Sequence, residues 1–118
     1  MAVQIRITQE ELGLVHEALA YMRRRIHGPG DAQRVHELAD RAEELLLGGR
    51  ARPVRLMRLS DEHARVLRTA LGSYADELRQ PFSDLSNRAR VARLRQLDRR
   101  LQRAGSWIGR LFGWLGGR

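Results

Sequence analysis

The chain has 118 residues, with 22 basic against 14 acidic side chains, a formal net charge of +8 and no cysteine. That length suits one domain able to bury a modest core unaided, and the lack of thiols excludes a disulfide framework, cysteine metal sites and thiol catalysis. MAVQIRIT lacks a charged region followed by an apolar run, and nowhere are 18 apolar residues consecutive, so a soluble cytoplasmic protein is expected.

Val3, Ile5 and Ile7 alternate with Gln4, Arg6 and Thr8, the period of a half-buried strand. Thr8 then caps a helix, with Glu11 three residues on completing a capping box. The apolar spacing Leu12, Val15, Leu19, Met22, Ile26 makes one helical stripe, which His27-Gly28-Pro29-Gly30 stops. Asp31 is the expected N-cap of a second helix carrying Val35, Leu38, Ala42, Leu45 and Leu46 and closed by Gly48-Gly49.

The pattern then returns. Displaced by 52 residues, Ile5, Arg6, Ile7, Thr8 and Glu10 fall on Met57, Arg58, Leu59, Ser60 and Glu62, and the first helical stripe falls on Ala64, Leu67, Leu71, Tyr74 and Leu78. A second strand over Val54 to Leu59, a cap at Ser60, a helix from 61 to about 79 and a fourth helix from about Asp84 follow. At an offset of 56, Val35, Leu38 and Leu45 match Val91, Leu94 and Leu101, while Glu37, Glu43 and Glu44 become Arg93, Arg99 and Arg100.

The expected fold is therefore α+β and helix-dominated. It is a tandem β-α-α repeat with pseudo-twofold symmetry, in which a two-stranded antiparallel ribbon packs with four helices. Residues 1–104 form the single domain, as repeats 3–49 and 54–104, and residues 105–118 a Gly/Trp-rich amphipathic helix or tail. A lone ribbon is marginal, so the helices must carry the burial.

Charge is unevenly placed. Residues 85–118 hold 9 Arg against the lone Asp98, so the whole net charge of +8 lies there. On the fourth helix Arg88, Arg95, Arg99 and Arg103 share one side, a stripe of about 22 Å at 1.5 Å per residue. It is suited to a phosphate backbone without sequence readout. A competing expectation pairs this arginine helix with the acidic second helix, within the chain or across a dimer.

Beyond it, Trp107, Ile108, Leu111, Phe112, Trp114 and Leu115 fall on one helical arc opposite Gly105, Gly109, Gly113 and Gly117. This arc is the candidate surface for docking on a partner groove, a second copy or an anionic membrane surface, on which it could lie but which it is too short to span.

Chemistry-bearing motifs are missing. The four histidines His16, His27, His36 and His63 have no metal-ligand spacing, and no phosphate-binding glycine motif occurs. Ser60, Ser73, Ser83, Ser86 and Ser106 sit in cap, turn or linker contexts with no recognisable base partner. The reading is a non-enzymatic binding protein without metal or cofactor, associating with nucleic acid and forming a homodimer.

The order strand, helix, helix, with VQIRITQEEL at its start, resembles the ribbon-helix-helix DNA-binding proteins. The resemblance implies a ribbon entering the major groove, with Gln4, Arg6 and Arg58 as base readers. The chain departs from that pattern in its first helix of about 17 residues, its HGPG loop, and Leu56 at the position equivalent to Gln4.

Overall fold

The computed structural model describes residues 2–25, 28–48, 53–79 and 84–116, excepting the side chains of Ala2 and of 106–116. In order these form β1 (Ala2–Thr8), α1 (Gln9–Arg23), α2 (Pro29–Gly48), β2 (Val54–Ser60), α3 (Asp61–Leu78) and α4 (Leu85–Gly116). The fold is helix-dominated α+β, with β1 and β2 paired antiparallel as a two-stranded sheet.

The strands obey their alternation. Val3, Ile5 and Ile7 of β1 and Met57 and Leu59 of β2 are buried under the helices, and Gln4, Arg6, Leu56 and Arg58 face outward. In the register Ile5 lies opposite Met57, Gln4 opposite Arg58, Arg6 opposite Leu56 and Thr8 opposite Val54. One face of the ribbon is thus core and the other is open.

Local chemistry sets the helix starts. At Thr8 the capping box is complete: Glu11 N–H donates to Thr8 Oγ1 at 3.2 Å and Thr8 N–H to Glu11 Oε1 at 2.9 Å. Ser60 caps α3 by accepting the His63 N–H at 3.0 Å. Asp84 Oδ1 accepts the Asn87 N–H at 2.9 Å where α4 begins.

Two boundaries differ from the sequence expectation. The first helix stops at Arg23 instead of running to Ile26, a residue outside those described. The second starts at Pro29, before Asp31, because proline suits the first helical position and the Gly28 carbonyl accepts the first helical N–H, that of Ala32, at 2.8 Å. Asp31 is freed from capping and instead bridges Arg34 at 2.9 Å and Arg65 of α3 at 2.8 Å.

The core lies between the ribbon and the helices, with α1 on α2, α3 on α4 and α1 crossing α3. Leu12, Leu19, Leu38, Leu67, Leu71, Leu94 and Leu97 are fully buried in it. The matched positions of α2 and α4 diverge as their residue types require. Val35 and Val91, and Leu38 and Leu94, are buried in both helices, whereas buried Ala39 has exposed Arg95 as its counterpart. Buried Ala42 corresponds to Asp98, which reaches Arg68 of α3 at 2.9 Å.

Candidate nucleic-acid interface

The arginines of α4 whose side chains are described divide into two sets by helical phase. Arg90, Arg93 and Arg100 turn toward α1 and form ion pairs with Glu17, Glu10 and Glu11 respectively. Arg100 also donates to the Arg6 carbonyl of β1 at 2.9 Å. Glu17 additionally accepts from the Tyr74 hydroxyl at 3.2 Å, which joins α3 to the same network.

This replaces one expectation with a different arrangement. Within the chain, the counterions of Arg90, Arg93 and Arg100 come from α1 and not from the acidic α2. The physical reason is layout: α4 packs beside α1, α3 and β1, so the α1 carboxylates are within a guanidinium's reach. The α2 carboxylate Glu37 instead meets His63 Nε2 of α3 at 3.1 Å. Glu10, Glu11 and Glu17 on the first helix, against Arg93, Arg100 and Arg90 on the fourth, form the sequence signal that could have located this contact.

The second set is Arg88, Arg95, Arg99 and Arg103. All four are exposed, and none forms an ion pair with a described residue. Their spacing of seven, four and four keeps them on the side of α4 opposite Leu94, Leu97 and Leu101, which are buried. The outward guanidinium groups therefore retain their full charge and free donors, while the inward ones are neutralised. A guanidinium fork can hold a phosphate bidentately.

Arg6 and Arg58 are both exposed on the open ribbon face, yet in different settings. The Arg6 backbone is held by Arg100, so Arg6 adjoins α4. The Arg58 carbonyl instead accepts from Arg41 of α2, at the other edge of the ribbon. With the Gln4 amide oxygen turned toward it, Arg58 donates from Nε at 2.7 Å and Nη2 at 3.2 Å. Gln4 and Arg58 are thus committed to each other, and Arg58 is set apart from the α4 stripe.

Ser60 does have a basic neighbour, contrary to the sequence reading. Its hydroxyl is hydrogen-bonded to His63 Nδ1, whose Nε2 meets Glu37. The same Ser60 oxygen accepts the His63 N–H, so the chain Ser60, His63, Glu37 ties the capped start of α3 to α2.

An open groove of about 640 Å³ lies between α3 and α4, with Val3, Ala64 and Leu101 among its lining and Arg68 bridged to Asp98 across it. Among the described residues, no cluster of three or more His, Asp or Glu is placed to hold a metal ion, and no helix is long and apolar enough to cross a membrane. The candidate docking residues Trp107, Ile108, Leu111, Phe112, Trp114 and Leu115 lie outside the described side chains, on the stretch where α4 continues to Gly116.

No protein-family model, curated protein or solved structure matches this chain.

Proposed function

We propose that this is a non-enzymatic protein that associates with nucleic acid through the outward side of α4. One observation carries the reading: seven arginines occupy residues 85–105, and Arg88, Arg95, Arg99 and Arg103 have no carboxylate partner among the described residues. Packing against α1 neutralises the inward arginines and holds the helix rigidly, so the outward ones are presented as a row. Such a row contacts phosphates, releases counterions and reads no sequence. Arg6 extends the basic surface around the edge of β1.

Arg95→Glu combined with Arg99→Glu tests it. Both residues are exposed, so the fold is retained, and the variant binds duplex DNA or RNA more weakly with a flatter salt dependence. Unchanged binding would refute the reading.

We also infer that the chain is a tandem β-α-α duplication with pseudo-twofold symmetry. Supporting this, Ile5 and Met57, 52 residues apart, are also direct partners in the ribbon. Each outer strand carbonyl at the matched positions Arg6 and Arg58 receives an arginine from its flanking helix, Arg100 in one half and Arg41 in the other. On this view the binding surface arose where one copy exchanged its acidic second helix for a basic one.

A further inference from the structure

Arg79 and Arg88 share a small cavity where α3 ends and α4 begins. Its volume is about 230 Å³, and its lining is Leu78, Arg79, Arg88 and Val91. Both arginines are exposed, while Val91 is buried and Leu78 half-buried, so two cationic side chains border a cavity whose other walls are apolar.

The other cavities that arginines line are balanced in charge. Arg68 lies in the groove between α3 and α4 with Asp98, Arg90 and Arg93 lie in the cleft against α1 with Glu17 and Glu10, and Arg41 lies beside Glu37. Around Arg79 and Arg88, among the described residues, the lining has no carboxylate. Asp76, Glu77 and Asp84 are the nearest acids in sequence, and none forms an ion pair with either arginine. Glu77 Oε2 instead faces the Tyr21 hydroxyl at 3.5 Å, and Asp84 Oδ1 accepts the Asn87 N–H at 2.9 Å. Two like charges bordering one partly apolar cavity repel, and an anion between them relieves the repulsion.

Backbone contacts fix both residues beforehand. The Arg79 N–H closes the last turn of α3 on the Ala75 and Asp76 carbonyls at 3.1 and 3.2 Å, and the Arg88 N–H joins the Asp84 carbonyl at 3.1 Å as α4 begins. Only the two side chains have to settle when an anion arrives.

We propose that Arg79 and Arg88 clamp one backbone phosphate of the nucleic acid at the outer end of the α4 row. The clamp rests on nucleic-acid association through α4 and carries it onto α3. Arg95, Arg99 and Arg103 follow one another at about 6 Å of helix rise, whereas Arg88 precedes Arg95 by about 10.5 Å. Arg88 is the isolated member of the row, and Arg79 supplies it with a second guanidinium. A phosphate presents its oxygens tetrahedrally, so two planar forks can hold it from different sides. Because the two arginines serve one phosphate, the number of phosphates contacted stays at four.

Salt dependence separates one shared phosphate from two. With duplex DNA, Arg79→Ala and Arg88→Ala should each raise the dissociation constant on the order of tenfold. Each should keep nearly the wild-type salt slope, since one guanidinium still neutralises the phosphate, whereas the double variant should flatten it by about 0.9. Flattening by about 0.9 in each single variant and about 1.8 in the double would mean two phosphates and overturn the clamp.

Arg24→Ala removes an equal charge from an exposed position outside the cavity. An equal loss of affinity there would reduce the effect to net charge and overturn the clamp as well. All of these variants keep Arg95, Arg99 and Arg103, so association through the row persists in them. A wild type that binds no duplex at all would count against that association instead.

Inorganic phosphate tests the pair without a strand. Its titration should move the Nε–Hε signals of Arg79 and Arg88 together in a nitrogen–proton spectrum, with one midpoint, and Arg79→Ala should weaken the response of Arg88. Absent or independent movement would overturn the clamp. A shared response to phosphate alongside unchanged DNA affinity in Arg79→Ala would assign the pair to the free ion and overturn the contact with a strand.

Discussion

Arg100 of α4 closes on the carboxylate of Glu11, the one buried charged residue among those described, and the same guanidinium donates to the Arg6 carbonyl at 2.9 Å. Glu11 in turn completes the capping box at Thr8. A strand edge, a helix start and the arginine helix are thereby held at one point, and this orients the outward face of α4.

Removal of that guanidinium leaves a buried carboxylate short of a partner. Arg100→Ala should destabilise the fold by about 1–3 kcal/mol, read as a lower urea midpoint with an unchanged slope. A variant as stable as the wild type would show that the contact contributes nothing.

Salt dependence measures how many outward arginines engage phosphate. If all four bind, the logarithm of the association constant falls against the logarithm of salt with a slope of about −3.6. In Arg95→Glu with Arg99→Glu the slope should flatten by about 1.8 or more. Equal slopes in the two proteins would assign the binding to other residues.

Tyr74 should titrate late. Burial pushes its hydroxyl above the usual 10, and the Glu17 carboxylate adds to the shift while Arg90 opposes it. Because the folded value is raised, the associated stability is present below the unfolded value and is lost as pH rises through the folded one. Alkaline absorbance titration should show the late component vanish in Tyr74→Phe and move earlier in Glu17→Gln.

Asp31 works in the opposite sense. Its hydrogen bond to Arg65, with a further one to Arg34, holds its carboxyl below the ordinary 3.8 despite some desolvation. Its contribution is present above the unfolded value and lost as pH falls through the lowered folded one. The stability difference between wild type and Asp31→Asn should therefore be constant near neutrality and disappear in acid.

Gly72 sits inside α3 with nothing within 4 Å of where a Cβ would stand. Gly72→Ala should stabilise the protein by up to about 1 kcal/mol through helix propensity. A thermal melt checks the sign, and a lowered midpoint would reveal a contact that this chain alone does not make.

Much of the fold was legible residue by residue. Thr8 with Glu11 and Ser60 with its third following residue announce helix starts, because capping is settled within four residues. The alternation of Val3, Ile5 and Ile7 gives a strand for the same local reason. The apolar stripe continues to Ile26 and so predicts a longer first helix, whereas α1 ends at Arg23 and Gly28 and Pro29 begin the next helix. The partnership of Ser60, His63 and Glu37 is not visible in the sequence because Glu37 comes from a different helix.

By itself, the sequence determined where the charge lies along the chain, which segments are helix or strand, and which side chains share a helical side, since period and capping are short-range. Only the tertiary structure decided which arginines remain free. Arg93, Arg100 and Arg90 meet carboxylates 83, 89 and 73 residues away, and only packing could bring those together. That packing gives the basic helix one neutralised side and one charged side.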